Sequence, residues 1–433
     1  MKTLKITYVL PVYWPAIGGC ELHTHELVKR LSERHNIKVL TLINSQEDKL
    51  KRSLWFACIL QAKSRPETYS DNMATVVRLP LQAFQKYLAF PLARIQSPKV
   101  PSILREPAMR GLVSLYRRRL EGLLEGCDVV HCIHGGTSFL GLAACQVARK
   151  LGIPFVFTPV LHLSHPEWRL EMKECKRTGR PFIYSPQLHL TVRGWTDPYW
   201  HQLCFNADTL ITMTEMEREF FIKKGIPEEK VIKTGVGPLI SDNINTDVRH
   251  KYRLDQKKIV LFLGRNHESK GIEELLDAAE LVWEKAPDTL FVFAGPLEGK
   301  SKEIFAGYND PRVIITGEVS DEEKSALLQA CDILCVPSLE ESLGGVYLEA
   351  WHYGKPVIAA DIPPLRDLTK NGQGGFLVRP EPADISEKLL CLLNDPKLRE
   401  RMGSWGRQRV LTEFNWENIA DKMEAVYLNL VQR

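Results

Sequence analysis

The stretch Lys258-Ile259-Val260-Leu261-Phe262-Leu263-Gly264-Arg265 decides the fold. Its apolar run reads as a strand that stops at a glycine, and helical spacing takes over across Ile272–Glu284. A second apolar run, Leu290-Phe291-Val292-Phe293-Ala294, follows, and Val313–Thr316, Ile333–Val336 and Val357–Ala360 continue the series. The same alternation occurs upstream. Lys5–Leu10 is a strand, Gly18-Gly19 a turn, and a helix with Leu27, Val28 and Leu31 on one face runs until Asn36 closes it. Val39–Ile43 is the next strand, completing a β-α-β unit with a right-handed crossover. Asp128–Cys132, Phe155–Thr158 and Thr209–Thr212 add further strands. Capping boxes are predicted at Thr214-Glu215-Met216-Glu217 and Ser320-Asp321-Glu322-Glu323. The polar stretch Ser241–Asp247 separates the two series. The expectation is therefore an α/β chain of two doubly wound Rossmann-like domains facing a central cleft. Ligands of such sheets sit beyond the carboxyl ends of the strands.

Composition narrows the classes. The 433 residues are 44% hydrophobic and 25% charged, which excludes long disorder, collagen-like repeats and small disulfide scaffolds. A net charge of only +4 argues against bulk polyanion binding, so no nucleic-acid partner is expected. No apolar run approaches 18 residues and the N-terminal apolar stretch is too short for a signal peptide, so neither a transmembrane helix nor a leader is expected. Ten cysteines form no C-x-x-C pair, and Cys132, Cys331 and Cys335 fall in strand-like runs. They read as reduced core thiols of a cytoplasmic protein. The charge is uneven: between Asp48 and Leu120 there are 14 Lys/Arg against 4 Asp/Glu. That segment also holds Trp55, Phe56, Phe84, Tyr87, Phe90 and Tyr116, and its prolines (80, 91, 98, 101, 107) predict short pieces rather than one long helix.

Two loops carry chemistry. In the first, Gly264-Arg265-Asn266-His267-Glu268-Ser269-Lys270-Gly271 places a forked and a mobile cation at a strand's carboxyl end. Two phosphates leaving together need such a charge sink. In the second, Glu341-Ser342-Leu343-Gly344-Gly345-Val346-Tyr347-Leu348-Glu349 brings two carboxylates and a glycine pair to the start of a helix ended by Gly354. Unpaired amides at a helix start suit a phosphate, and carboxylates suit sugar or ribose hydroxyls. Other patterns fall away. His23 and His25 point about 200° apart on a helix, so zinc is not expected. No G-x-G-x-x-G, G-x-S-x-G or H-E-x-x-H is present, and Cys331 and Cys335 read as core.

Together these residues resemble the retaining glycosyltransferases of family 4, which have the GT-B fold. The resemblance spans nearly the whole chain and is strongest from Lys258 to Val378. It rests on E-x7-E at Glu341 and Glu349, the run Glu349–Ala360, G-R-x4-K-G at Gly264–Gly271, and Gly18-Gly19-Cys20-Glu21. Asp128–His131, Thr158–His162 and Phe414-Asn415-Trp416 are similar as well. The resemblance implies that Arg265 and Lys270, with Gly264, hold the donor's diphosphate, and that Gly18 and Gly19 let backbone approach it. Glu349 would bond the ribose and Glu341 the transferred sugar, near the Gly344 and Gly345 amides. His162 would sit by the sugar, with His131 and His134 as competing candidates. Leu343 stands where an aromatic is common.

The implied domains are 1–240 for the acceptor, with a basic insertion at about 48–120, 241–413 for the nucleotide-sugar donor, and a helix at 414–433 crossing back. The co-substrate is expected to be a UDP- or GDP-sugar, with no obligatory cofactor and no metal, since Arg265 and Lys270 supply the charge. The acceptor is expected to be a lipid-linked or membrane-associated glycan or glycolipid, with a soluble saccharide as the alternative. A GT-B epimerase or a non-catalytic nucleotide-sugar-binding protein are the remaining readings. Basic groups near anionic lipid gain about 1 kcal/mol each and aromatics settle at the headgroups. Residues 49–119, with Lys49, Lys51, Arg52 and Leu54-Trp55-Phe56 at one end and Arg117-Arg118-Arg119 at the other, therefore suggest peripheral attachment to the inner face of a membrane.

Overall fold

The computed structural model describes residues 2–16, 18–44, 58–59, 61–96, 100–133, 138–164, 191–193, 198–241, 243–339, 341 and 344–432. The chain forms two compact units. The first comprises Met1–Leu161, Gly194–Val236 and Trp416–Arg433, the second His162–Arg193 and Gly237–Asn415.

The first unit is built on β1 (Lys5–Val9), β2 (Asn36–Thr41), β3 (Glu67–Asp71), β4 (Ala74–Arg78), β5 (Val129–Ile133) and β6 (Phe155–Thr158). After β7 (His162–Ser164) and β8 (Thr191–Arg193), an antiparallel pair grouped with the second unit, come β9 (Thr209–Thr212) and β10 (Val231–Lys233). The sheet order is β10-β9-β6-β5-β1-β2-β4-β3, parallel throughout except for the β3–β4 hairpin. The helix Gly19–Leu31 buries Leu27, Val28 and Leu31, the face predicted from their spacing. Asn36, predicted to close that helix, opens β2 instead, its amide donating to Leu4 at 2.8 Å. The terminal helix Trp416–Gln432 packs on this unit. Tyr427 meets Tyr8 hydroxyl to hydroxyl at 2.8 Å, while Arg34 reaches Asp421 at 2.5 Å and Glu424 at 2.8 Å.

As the prolines predict, the basic segment forms no single long helix: Pro80 falls between β4 and the helix Ala83–Ile95, and Pro101 caps the helix Ser102–Leu124, whereas two other prolines are carried inside these helices. Pro91 lies inside the helix Ala83–Ile95, and Pro107 inside the 23-residue helix Ser102–Leu124. Each proline removes a single i→i−4 bond, a cost of about 3 kcal/mol. Burial of Ala89, Ala93, Leu112, Val113, Tyr116 and Leu120 offsets it. Lys49, Lys51, Arg52, Leu54, Trp55 and Phe56 lie outside the described residues. Among the described residues no helix is long and apolar enough to cross a membrane.

The second unit carries β11 (Ile259–Leu263), β12 (Leu290–Ala294), β13 (Val313–Gly317), β14 (Ile333–Val336), β15 (Val357–Ala360) and β16 (Gly375–Val378). Their order, β13-β12-β11-β14-β15-β16, is wholly parallel and reverses direction of winding between β11 and β14. Cys331 and Cys335 are buried in its core, as their positions predict. The Thr214 capping box closes both ways, with the Thr214 hydroxyl taking the Glu217 amide and the Glu217 side chain the Thr214 amide. At Ser320 the hydroxyl takes the Glu323 amide at 3.1 Å, but Lys251 and the Tyr252 hydroxyl draw the Glu323 carboxylate away. The helices Gly345–His352 and Pro396–Thr412 approach so closely that a Cβ on Gly403 would lie 1.8 Å from the Gly354 carbonyl oxygen. Gly403→Ala is therefore expected to destabilise the chain by about 2 kcal/mol. Gly122→Ala, where a Cβ would meet nothing within 4 Å among the described residues outside its own helix, should raise stability slightly. Urea-unfolding midpoints of the two variants check this.

Candidate functional site

The point where winding reverses is where an open α/β sheet presents its ligand crevice. In the second unit it lies between β11 and β14, and the two glycine-bounded loops of the sequence follow those two strands. After β11 the chain turns at Gly264, whose φ of 139° suits glycine. The buried Asn266 then donates from its amide to Pro296 at 2.8 Å and from Nδ2 to Gly295 at 2.8 Å, which holds the loop against the end of β12. Gly271, with φ 76°, sits against β14's exit: a Cβ there would be 2.4 Å from the Pro337 carbonyl oxygen. Beside it the Leu339 amide donates to the Ser269 carbonyl at 3.0 Å.

That staple brings the predicted cation and carboxylate together. Lys270 Nζ donates to Glu341 Oε1 at 2.7 Å, both side chains largely buried. Arg265 is more exposed and donates to Glu298 Oε2 at 3.1 Å. The second loop turns into its helix at Gly344, φ 78°, where a Cβ would strike the Tyr347 ring at 2.4 Å. The Tyr347 hydroxyl in turn donates to Val336 at 2.6 Å, tying the helix start to the end of β14. Among the described residues outside its own helix and chain neighbours, nothing lies within 4 Å of a Cβ placed on Gly345. Ser342 and Leu343 lie outside the described residues.

Glu349 is buried one turn further along, and Lys324 Nζ donates to its Oε1 at 3.3 Å. Burial pushes the Glu349 carboxyl above the usual range, against the lowering effect of Lys324 and the Leu239 amide. Burial also opposes the charge on Lys324, but Glu349 and Asp321 outweigh it and hold the ammonium above its ordinary value. Lys324 was not anticipated from sequence. It stands 25 residues from Glu349 on a separate helix, Asp321–Ala330, and only packing joins them.

In the first unit Gly18 caps the helix that begins at Gly19, and among the described residues outside that helix a Cβ on Gly19 would touch nothing within 4 Å. The loop leading there is anchored by residues that no motif marked. Tyr13 donates to Asp71 at 2.6 Å, His25 Nδ1 contacts the same carboxylate oxygen at 2.8 Å, and Tyr69 donates to the Trp14 carbonyl at 2.6 Å. The His25 ring stacks on Trp14 with centroids 4.6 Å apart. His23 is buried against Trp416 and depressed by that burial to about 4. The two histidines thus sit in separate surroundings, and among the described residues no group of three His, Cys, Asp or Glu could hold a metal ion.

Of the candidate histidines, His131 is in the core. Its Nδ1 meets the Tyr427 hydroxyl at 2.6 Å and its Nε2 the Thr158 hydroxyl at 2.7 Å. Burial lowers it to about 3, so it is neutral, with both nitrogens engaged. His134 lies outside the described residues, as does the side chain of His162, whose backbone opens β7. Leu161, just before it, donates its amide to Glu217 at 3.0 Å. Glu217 also takes the Met213 amide at 2.6 Å, and burial raises its carboxyl despite these donors.

Two Rossmann-like units with these loops define the GT-B architecture. The family profile described as "Glycosyl transferases group 1" matches residues 245–409, and "Glycosyl transferase 4-like domain" matches residues 18–235. The chain belongs to the GT-B glycosyltransferases of the family 4 type. It is 29% identical over 238 residues to an alpha-D-kanosaminyltransferase of Streptomyces kanamyceticus, covering 51% of this chain and 60% of that one. It is 34% identical over 173 residues to a phosphatidyl-myo-inositol mannosyltransferase of Mycobacterium leprae, covering 39% and 46%. The chain thus spans about half the length of these curated relatives. Among solved structures, Anabaena HepE in complex with UDP and glucose superposes with a TM-score of 0.64 at 17% identity, covering 98% of this chain and 100% of that one.

The Lys324–Glu349 pair yields a signed expectation. Lys324→Met leaves Glu349 buried without its cation and should cost about 3 kcal/mol at neutral pH. Because the carboxyl's folded-state value is already raised, losing Lys324 raises it further. The variant's stability then falls as pH rises from the ordinary glutamate range through that value. Denaturation at pH 4.5 and pH 8 should show the smaller deficit at pH 4.5.

Proposed function

We propose that this protein is a retaining glycosyltransferase that moves a sugar from a nucleoside-diphosphate sugar to a hydroxyl acceptor. The observation that carries the reading is the Lys270–Glu341 pair, with Arg265 on the same loop as Lys270, at the winding reversal of the second unit. A diphosphate competes with Glu341 for the Lys270 ammonium. Once displaced, Glu341 is free to accept hydrogen bonds from the sugar's hydroxyls, while Arg265 and Lys270 take up the charge that develops as the diphosphate leaves. Gly264 and the Gly344-Gly345 amides complete the donor set, with Gly18 and Gly19 as the first unit's contribution. Glu349 is assigned to the ribose, and His162 to the sugar.

A UDP- or GDP-sugar is the proposed donor, a reading supported by the likeness to HepE, which was crystallised with UDP and glucose. The proposed acceptor is a lipid-linked or membrane-associated glycan, formed at the cytoplasmic face of a membrane. The partial similarity to a phosphatidyl-myo-inositol mannosyltransferase supports that choice over a soluble saccharide.

Incubation with a panel of nucleotide sugars, with and without glycolipid acceptors, tests the reading. Acceptor-dependent release of nucleoside diphosphate is expected, with the donor's anomeric configuration kept in the product by NMR. Inversion would overturn retention, and binding without turnover would favour a non-catalytic nucleotide-sugar protein. Arg265→Ala should lower turnover at least about a hundredfold. Turnover should persist in chelator, since two side-chain cations carry the leaving-group charge. Strict loss restored by manganese would refute that.

A further inference from the structure

In the helix Ala83–Ile95 the large apolar side chains Phe84, Tyr87 and Leu88, with Pro91, recur at the spacing that in a globular protein marks the core-facing stripe. Here that stripe faces outward. Phe84 is 61% exposed, Tyr87 86% and Leu88 57%, whereas Ala89 and Ala93 are the buried residues of the helix. The neighbouring helix Ser102–Leu124 adds Ile103 at 79% and Leu104 at 56% in its first turn. Among the described residues, six of the twelve exposed large hydrophobic residues lie on this helical pair. A contiguous apolar patch rimmed by polar groups marks an interaction site.

The charge of the pair identifies what it meets. Its two helices carry Lys86, Arg94, Arg105, Arg110, Arg117, Arg118 and Arg119 against Glu106 and Glu121. Arg94 is exposed and continues the line of the stripe beyond Pro91, and Arg105, which follows Leu104, is half-buried, its Nε shielded from solvent. Arg119, included in the basic cluster from sequence, points elsewhere: it donates to the Pro80 carbonyl and to Gln85 at 2.8 Å. Tyr116 is buried. The exposed face is therefore concentrated at residues 84–104, with basic groups at its rim. A protein groove would match the apolar stripe but has no call for the surplus of cations. Anionic phospholipid matches both.

We propose that the helical pair 83–95 and 102–124 docks this protein on an anionic phospholipid surface, with Phe84, Tyr87, Leu88, Ile103 and Leu104 entering the headgroup layer. Arg94 and Arg105 bond lipid phosphates beside them. For its purpose this rests on the membrane-associated acceptor proposed above, but its test does not require turnover.

The full chain is sedimented with phosphatidylglycerol–phosphatidylcholine vesicles and with phosphatidylcholine vesicles, at low and high salt. At least tenfold more protein is expected with the anionic vesicles at low salt. The variant F84S/Y87S/L88S should lose this binding, and R94Q/R105Q should weaken it, while both retain wild-type thermal unfolding and UDP affinity. Negligible binding of the wild type to anionic vesicles would overturn the proposal, as would unchanged binding of F84S/Y87S/L88S. A concentration-dependent wild-type dimer that this variant abolishes, without vesicle binding, would assign the face to a second copy of the chain and equally overturn it. Vesicle binding without sugar transfer would instead leave this inference standing and count against the proposed function.

Discussion

The second unit depends on a backbone approach that no side chain makes. The loop after β11 passes Gly271 against the Pro337 carbonyl, and the Leu339–Ser269 bond locks the two strand exits together. Any Cβ at Gly271 would force these loops apart, and its left-handed φ adds a second reason for glycine. From that fixed approach follow the 2.7 Å separation of Lys270 and Glu341 and, through Tyr347 and Val336, the placement of the helix start at Gly344. The charges themselves do not hold the loops. They occupy positions that backbone packing has already set, so a ligand can exchange for one partner without dismantling the fold.

The buried titratable groups divide by their surroundings. His131 and His23 are driven neutral by burial and belong to the core. Glu217 and Glu349 are carboxylates kept among donors in places that disfavour their charge. Glu217 accepts from the Leu161 amide ahead of β7 and from the Met213 and Thr214 amides at the start of its own helix, whereas Glu349 shares its charge with Lys324. A carboxylate bound by fixed amides is structural. One paired with a lysine side chain has a partner that can move, which is the more adaptable arrangement.

The pair of helices at 83–124 shows the same economy in reverse. Small residues, Ala89 and Ala93, form the packed face of the shorter helix, which leaves its large apolar residues outside. At Gly111, a Cβ would come within 2.8 Å of a terminal methyl of Leu92, so the Leu92 side chain would have to shift to admit one. Pro91 and Pro107 persist in these helices because packing of the longer helix's buried face outweighs one missing bond in each.

What the sequence determined by itself was the alternation of strands and helices, since runs such as Ile259–Leu263 and Leu290–Ala294 are apolar enough to be buried in any context. It also marked Arg265, Lys270, Glu341 and Glu349, because glycines beside charged residues at strand ends form a local pattern. Tertiary structure decided what each of them touches. Lys324 and Asp71 were invisible beforehand: each comes from an element distant in sequence, and nothing in its own neighbourhood signals its partner. His131 read as a candidate for the same reason, since a strand histidine looks alike in sequence whether it faces a ligand or Tyr427. The prolines marked the breaks near residues 80 and 101 but not the helices that run through Pro91 and Pro107, because local propensity is worth a few kcal/mol and a buried face can exceed it. Local chemistry is written in neighbouring residues, but burial and partnership are settled only when distant segments pack.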